Sequence, residues 1–340
     1  MLKYLNFTYI LSLLNTYFGV ILIKQFLLLI LFTQILSADL VDIYRSKGIE
    51  AVKLELEKEL KKKSYWDNYL KDKDIKHGYY ESIKYVITTE KDRKRLQLHK
   101  LKNNKFETLM TKDVFVGEVQ GDKQKEGDLK TPTGTYDLTT KITKLDQFYG
   151  PMALVTNYPN VFDKAQKKDG YGIWIHGLPY DNKRDDYTKG CIALENGSLK
   201  LLDKNINIEN SVLIIGEKNI QAISKKQIST ILSDIYSWKD AWRKSDINGY
   251  LSFYNESFKK GNGMGLKKYK KYKKRIFAKN EKKQIDFSNI NIMPYPNSLN
   301  KIMYKIVMDE DYKTKTYKFE GKKELYIELK NNKMSILAEG

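Results

Sequence analysis

The amino-acid sequence predicts an α+β protein with several domains, and three observations support this prediction. The chain has 340 residues, which is enough for two or three domains with separate cores. Apolar residues recur at three- and four-residue spacing in 49–63 and 228–255, as in amphipathic helices. In 83–101 and 301–339 apolar and polar residues alternate between charged turns, as in strands. Helices and strands therefore occupy separate stretches, which is typical of α+β domains.

The N-terminal residues 1–38 contain no acidic residue and only two bases. The apolar run Phe26–Leu36 is too short to span a bilayer comfortably, and it is followed by small residues up to Ala38. This pattern predicts a signal peptide that is cleaved after Ala38, so the mature protein is expected outside the cytoplasm. The alternative is a membrane anchor that includes the first apolar stretch, roughly 5–23.

The mature chain divides into three segments. Residues 39–78 are charged and show helical spacing. Residues 79–217 are rich in strand patterns, including a hairpin near the start and a late strand at 211–216. Residues 218–340 begin with helical patterns and end in alternating strands. We therefore predict a small helical N-terminal region, a β-rich domain and a separate α+β C-terminal domain.

The formal net charge of +19 indicates an anionic partner. Nucleic acid is one class of such partners, but the predicted export disfavours it, and anionic polymers or membranes outside the cytoplasm suit the charge better. The segment after Lys218 carries about twice as many basic as acidic residues, and its densest run is Lys267–Arg275. This run is either a strip of bases and tyrosines that binds a ligand or the solvated face of a helix.

Cys191 is the only cysteine of the chain, so it cannot form a disulfide within it. A lone cysteine in an exported protein is either buried and inert or retained for its reactivity. Gly190 before it suits a tight turn, in which the N–H groups of Gly190 and Cys191 could stabilise an oxyanion. His176 ends an apolar strand-like run upstream, and a histidine can activate a thiol and protonate a leaving amine. These residues permit covalent acyl transfer, although no aspartate lies in an obvious position to orient the imidazole.

The other polar candidates do not form a second site. Three scattered histidines and one cysteine lack the spacing of a zinc site, and the glycines of 261–265 are interpreted as a loop that lacks a strand-to-helix context. No metal or cofactor is therefore predicted. His77 is expected at the surface, and His99 is expected to be structural in a strand. Three further residues are candidates for substrate contacts, with core and surface roles equally open: Tyr158, Thr188 and Lys189.

Four short segments resemble the L,D-transpeptidases of the YkuD type. HG at 176–177 and TKGCIAL at 188–194 resemble that family's signature, a His-Gly pair followed by Ser/Thr-x-Gly-Cys. TPTGTY at 131–136 and NYPNVFD at 157–163 resemble two further family segments and occur in the right order. The resemblance covers about 79–217 and implies a YkuD-type catalytic fold for that domain.

The resemblance also implies roles for individual residues. It implies that Cys191 is the nucleophile, that His176 is the base, and that the main-chain carbonyl of Gly177 orients the imidazole. One position departs from the family, because many members carry arginine two residues after the cysteine where this chain has Ala193. An arginine there could hold a substrate carboxylate, so its absence argues against ordinary cross-linking activity.

A closer resemblance is to the peptidoglycan L,D-carboxypeptidases of helical Gram-negative bacteria, which carry an NTF2-like C-terminal domain. The stretch at 237–254 resembles the first helices of that domain. This resemblance implies a periplasmic enzyme that releases D-alanine from tetrapeptide stems through a cysteine acyl-enzyme, leaves tripeptides and affects cell shape. The alternatives are an L,D-transpeptidase that cross-links peptidoglycan and a non-catalytic wall-binding scaffold.

The partners expected from these arguments are peptidoglycan muropeptides, with no nucleic acid. The N-terminal helical region is a candidate for contact with a second copy of the chain. The basic C-terminal domain is expected to hold the anionic wall near Cys191, since it contains neither histidine nor cysteine for chemistry of its own.

Overall fold

The computed structural model describes residues 39–181 and 185–340. The chain divides between residues 59 and 60 into two compact units. The described part of the first unit is helical, at 39–47 and in most of α1 (Ile49–Leu60). The predicted signal peptide lies outside the described residues. Within them, we find no helix that combines the length and apolar character needed to cross a membrane.

The second unit contains a closed β-barrel and a six-stranded sheet with helices. This architecture confirms the predicted α+β class. Its helices and strands, in chain order, are α2 (Lys63–Tyr69), β1 (Tyr79–Tyr80), β2 (Tyr85–Glu90), β3 (Arg95–Lys102), β4 (Lys105–Phe115), β5 (Gly134–Ile142), β6 (Ala153–Thr156), α3 (Val161–Ala165), β7 (Trp174–His176), β8 (Ile192–Leu194), α4 (Asn196–Asn205), β9 (Ser211–Gly216), α5 (Lys225–Arg243), α6 (Ile247–Leu251), β10 (Tyr254–Lys260), α7 (Leu266–Ala278), β11 (Gln284–Pro294), β12 (Met303–Lys313), β13 (Lys318–Lys330) and β14 (Lys333–Glu339).

The barrel has the strand order β2-β3-β4-β8-β7-β6-β5-β9. The predicted hairpin is the antiparallel pair β2 and β3. The predicted late strand, β9, is buried along its whole length and closes the barrel, because it pairs in parallel with β2 and antiparallel with β5. Side chains from all sides fill the interior, among them the fully buried Ile87, Leu98, Tyr136 and Leu213.

The C-terminal sheet has the order β1-β11-β12-β13-β14-β10, and α5 packs its apolar face on it. Trp238 of α5, Tyr250 and Tyr269 are fully buried in this core. The helical stretch predicted at 228–255 is shorter than expected. It breaks at Ser245, which adopts a positive φ of 59°, and the chain becomes strand β10 from Tyr254.

Residues between 60 and 80 contribute to the core of the C-terminal domain. Trp66, Leu70 and Ile75 belong to the same buried cluster as Trp238. Strand β1 extends the C-terminal sheet, with Tyr79 opposite Ile292 of β11. The apolar face of this short segment is thus buried against a sheet more than two hundred residues later in the chain.

Two local predictions were wrong. The glycines of 261–265 do lie between a strand and a helix, since they join β10 to α7. His77 is half-buried, and its ring stacks on that of His99 with centroids 4.0 Å apart. Burial lowers the pKa of His77 to about 3 and that of His99 to about 4. His99 is buried between Thr88 and Thr108, to which its ring nitrogens hydrogen bond, as expected of a structural histidine.

Buried ion pairs lie within the barrel domain and between it and the C-terminal domain. The Lys168 ammonium lies 2.7 Å from the carboxylate of Asp122 and 3.0 Å from that of Asp163, and all three side chains are buried. Burial alone would lower the pKa of Lys168, but the two carboxylates outweigh it and raise this pKa. Lys305 of the C-terminal sheet, also buried, lies 2.8 Å from Asp137 of the barrel.

Replacing Lys168 with methionine is expected to lower the free energy of unfolding by about 3–5 kcal/mol, because two buried carboxylates lose their common partner. Urea unfolding followed by circular dichroism measures this loss. The matched control is Lys164→Met on the exposed side of α3, which should change the free energy by less than about 0.5 kcal/mol. Equal stability of the two variants would contradict the assigned role of Lys168.

Candidate active site

The parallel pairing of β7 with β8 brings the predicted reactive residues together. Ile175 lies opposite Ile192, and His176 lies opposite Ala193. Residues opposite each other on paired strands face the same side, as do residues two apart on one strand. Cys191, two residues before Ala193, is therefore placed on the side of His176. Both residues line one cleft of about 500 Å³.

The His176 imidazole is held by the main chain. Its Nδ1 lies 2.7 Å from the carbonyl oxygen of Gly177. A carbonyl can only accept a hydrogen bond, so Nδ1 carries the proton and Nε2 is the basic nitrogen. The side chain is only 1% exposed, and the Tyr149 ring meets it edge to face at 5.1 Å. The contact implied by the family resemblance is thus present in the structure.

Gly177 occupies a position at which a side chain would overlap its neighbours. Its N–H donates to the carbonyl of Tyr149 at 2.9 Å. A Cβ atom on Gly177 would lie 2.2 Å from Oδ1 of Asn196 and 2.7 Å from Cδ of Pro151. Asn196 was missed by the sequence analysis, and the only signal for it was a polar residue five positions after Cys191.

The Cys191 thiol lies in the wall of the cleft. Its Sγ donates to the carbonyl of Gly172 at 3.3 Å, and the residue is partly exposed. An inert structural cysteine would be enclosed by apolar side chains. Its position in the cleft favours the reactive interpretation of the lone cysteine.

The turn before Cys191 is stabilised by Thr188. The buried hydroxyl of Thr188 donates to the carbonyl of Cys191 at 2.7 Å and accepts from the N–H of Gly190 at 3.0 Å. Gly190 adopts a φ of 131°, and a Cβ there would lie 2.8 Å from the carbonyl oxygen of Lys130. The N–H of Gly190 is thus bonded within the turn and is less suited to an oxyanion than predicted. The Thr188 hydroxyl, a predicted substrate contact, is likewise committed to the main chain.

The two other family-like segments have supporting positions. Thr131 accepts from the N–H of Gly117 at 2.8 Å and donates to the carbonyl of Cys191 at 3.5 Å. Tyr158 is 5% exposed, and its hydroxyl donates to the carbonyl of Asp169 at 3.0 Å. The structure therefore places Tyr158 in the barrel core and not, as the predicted substrate contact required, at the cleft.

The cleft combines aromatic walls with charged groups of both signs. Lys189 and Asp185 are both exposed, so the cleft offers partners for both an anion and a cation. The Asp185 carboxylate raises the pKa of Tyr187 above its ordinary value. Among the described residues, no cluster of three His, Cys, Asp or Glu side chains could hold a metal ion. The side chains that line the cleft are Phe148, Tyr149, His176, Asp185, Tyr187, Thr188, Lys189 and Cys191.

Two known protein families match the chain, one for each domain. The L,D-transpeptidase catalytic domain, YkuD, matches residues 84–214. The Cds6 C-terminal NTF2-like domain matches residues 230–340. The protein YafK of Escherichia coli K12 is 30% identical over 101 residues, which is 30% of this chain and 37% of the length of YafK.

Two solved structures share most of the chain. The helical cell shape determining protein Pgp2 from Campylobacter jejuni is 42% identical, with a TM-score of 0.78, over 83% of this chain and 100% of that one. Bd1075 from Bdellovibrio bacteriovorus is 26% identical, with a TM-score of 0.60, over 76% of this chain and 92% of that one. Both alignments are long enough to include barrel and C-terminal sheet together.

Replacing Thr188 with valine, which keeps the shape but not the hydroxyl, should lower the free energy of unfolding by about 1–3 kcal/mol, because the buried N–H of Gly190 loses its acceptor. Urea unfolding measures the change. Thr139→Val is the matched control, since the Thr139 hydroxyl makes an exposed bond to the carbonyl of Val155. A Thr188→Val variant that unfolds like this control would show that the turn does not need the hydroxyl.

Proposed function

The chain belongs to the peptidoglycan-acting L,D-transpeptidase family, in the group that joins a YkuD catalytic domain to an NTF2-like domain, and we propose that it is a peptidoglycan L,D-carboxypeptidase. The proposed substrate is a tetrapeptide stem that ends in meso-diaminopimelate and D-alanine. The observation that carries the proposal is that His176, at the end of β7, and Cys191, directly before the paired strand β8, line one cleft, and that each side chain is bonded to a main-chain carbonyl.

In the first half-reaction Cys191 attacks the carbonyl carbon of the diaminopimelate residue. The thiol proton passes to Nε2 of His176, which is the basic nitrogen because Nδ1 is bonded to Gly177. The tetrahedral oxyanion needs an N–H donor, and the proposed donor is the main chain at Cys191, since the N–H of Gly190 is bonded to Thr188. The intermediate collapses with cleavage of the C–N bond. His176 protonates the leaving nitrogen, and D-alanine departs.

In the second half-reaction water replaces the amine. Nε2 of His176 takes a proton from water, the hydroxide attacks the thioester carbonyl, and the C–S bond breaks. The thiolate regains its proton from His176, and the tripeptide leaves with a new carboxylate. No group other than the two reactive residues has to change its protonation state.

Hydrolysis is favoured over cross-linking by the environment of position 193. Ala193 is fully buried in β8 and lies opposite His176. An arginine at this position would place a cation beside the base, where it could hold a substrate carboxylate. With alanine here, the cleft has no such cation from β8, and water is the proposed acceptor. An L,D-transpeptidase remains the second candidate, because both reactions share the acyl-enzyme.

The proposal also includes location and cellular role. Peptidoglycan lies outside the cytoplasmic membrane, so the proposed location is the periplasm, reached by the predicted N-terminal signal. The similarity to a helical cell shape determining protein supports a role in cell shape. The N-terminal helices expose Val41, Tyr44 and Ile49, which supports the predicted homodimer through this region.

The C-terminal domain is proposed to hold the anionic wall. It contains a cavity of about 770 Å³ whose lining includes six lysines and five aromatic residues. Lys323 lies in it, 3.2 Å from Glu310 and 3.1 Å from Glu339. Lys273 is buried over the rings of Trp242 and Tyr250, at 4.6 and 5.1 Å. Burial lowers the pKa of Lys273 to about 8.

Four lysines of the basic run at 267–275 lie on the exposed face of α7. Lys267, Lys268, Lys270 and Lys271 are exposed, whereas Tyr269 of the same helix is buried. None of these four lysines lines the cavity. These four lysines are therefore solvated, whereas Lys273 of the same run is buried at the cavity. Binding of the exposed lysines to wall polymer is a separate part of the proposal.

The wild-type protein is expected to convert purified tetrapeptide muropeptides into monomeric tripeptides with release of D-alanine, as measured by mass spectrometry. Cys191→Ala should abolish the conversion without unfolding the protein, and His176→Ala should slow it at least a hundredfold, on the order of a lost general base. Cross-linked dimers as the main product would favour the transpeptidase candidate. No product at all from the folded wild-type protein would favour the scaffold.

Charge reversal to glutamate at Lys267, Lys268, Lys270 and Lys271 should weaken binding to intact sacculi and make it less dependent on salt, because fewer screened contacts remain. Pelleting with sacculi at several salt concentrations measures this effect. A matched control reverses four exposed lysines of the barrel domain, Lys102, Lys105, Lys112 and Lys125, and so changes the net charge equally. An equal loss of sacculus binding in both variants would mean that net charge alone drives binding. Cleavage of soluble muropeptides should not change in either variant.

A further inference from the structure

A single peptide unit links the His176 imidazole to the side chain of Asn196. The carbonyl of Gly177 accepts from Nδ1 of His176 at 2.7 Å. The N–H of Leu178 belongs to the same peptide unit and donates to Oδ1 of Asn196 at 2.9 Å. In a trans peptide the C=O and N–H groups point in opposite directions. The peptide plane is therefore held from both sides, by the imidazole on one and by the amide on the other.

Asn196 makes a second hydrogen bond to the same residue. Its Nδ2 donates to the carbonyl of Leu178 at 3.0 Å. The side-chain amide thus pairs with both the N–H and the C=O of Leu178. One bond would leave the loop free to rotate about it, whereas two bonds to one backbone residue define the direction of the Gly177 carbonyl.

Two glycines make room for this amide. A Cβ atom would lie 2.2 Å from Oδ1 of Asn196 if placed on Gly177, and 2.5 Å if placed on Gly150. Gly150 also adopts a φ of 71°, which side chains disfavour. The close approach of Asn196 therefore depends on glycine at both positions.

The position of Asn196 is coupled to that of the nucleophile. It is the first residue of α4, and only β8 and Glu195 separate it from Cys191. Glu195 caps the helix by accepting from the N–H groups of Gly197 and Ser198, at 2.7 and 2.8 Å. One stretch of six residues thus carries both the thiol and the amide of Asn196, which contacts His176 indirectly, by way of the Gly177–Leu178 peptide unit.

We propose that Asn196 is the positioning residue of the catalytic base. It orients the Gly177–Leu178 peptide, so that the carbonyl keeps the proton on Nδ1 of His176 and Nε2 directed at the thiol. In catalytic triads an Asp or Asn side chain contacts the imidazole directly, whereas here one peptide unit lies between them. Hydrogen bonds in such a chain polarise one another, so the accepted N–H strengthens the carbonyl as an acceptor. The proposal rests on the proposed function only in taking His176 as the base.

Alkylation of the thiol by iodoacetamide tests the proposal without any muropeptide. Cys191 is the only cysteine, so the rate of alkylation as a function of pH reports thiolate formation at this one site. Asn196→Ala and Asn196→Leu should slow alkylation near neutral pH by about tenfold and move the profile to higher pH, because a misdirected imidazole stabilises the thiolate less. In muropeptide turnover the variants should have a lower kcat, while KM changes little.

Two further variants separate positioning from general destabilisation. Asn205→Ala, in the last turn of the same helix, removes a side-chain bond to the carbonyl of Leu201 and should keep the wild-type profile. Asn196→Asp keeps the acceptor for the N–H of Leu178 and should restore part of the alkylation rate. Asn196→Leu retains the volume of the side chain, so it remains informative if the alanine variant does not fold.

The outcomes are distinguishable from those of the proposed function. A folded Asn196→Leu variant with the wild-type alkylation profile would overturn the positioning role, whatever the wild-type protein does to muropeptides. A shifted profile together with no muropeptide cleavage by the wild type would uphold the positioning role and reject the carboxypeptidase.

Discussion

The parallel pairing of β7 with β8 is the contact on which the candidate site depends. Each strand has only three residues, which is too little to form a stable pair alone. The neighbouring barrel strands stabilise the pair, because β6 pairs with the other edge of β7 and β4 pairs with the other edge of β8. Parallel strands need a long connection, and here that connection starts at the glycine that holds the base and ends at the turn that carries the nucleophile.

The site orients its reactive groups with main-chain carbonyls. Gly172 accepts from the thiol, and Gly177 accepts from the imidazole. A carbonyl has no net charge, so neither group repels the terminal carboxylate of the proposed substrate, as an aspartate beside the base would. The disadvantage is that the direction of a carbonyl is fixed only if its peptide plane is held in place. The paired bonds of Asn196 to Leu178 meet this requirement for the Gly177 carbonyl. The bonds of Thr188 stabilise the turn that carries the thiol itself.

The C-terminal domain is packed against the barrel and is not an appendage on a flexible linker. Lys305 bonds to Asp137 of the barrel and, at 3.0 Å, to Glu324 of its own sheet. Tyr295 accepts from Asn160, whose segment also carries the buried Asp163. Strand β1 adds the chain before the barrel to the same sheet. The cavity that is proposed to hold wall polymer therefore lies at a defined position relative to the cleft.

The sequence by itself determined the α+β class, and it predicted the order of the segments and the two residues proposed as nucleophile and base. These follow from local information: the period of apolar residues, the single cysteine, and short motifs. The tertiary structure decided which residues surround them. It placed Tyr158 in the core, committed Thr188 to a turn, joined 60–80 to the C-terminal core, and brought Asn196 to the peptide behind the base. The physical reason is that hydrogen bonds and burial depend on the register of strands far apart in the chain, and a one-residue change of register reverses every side chain without altering the local pattern.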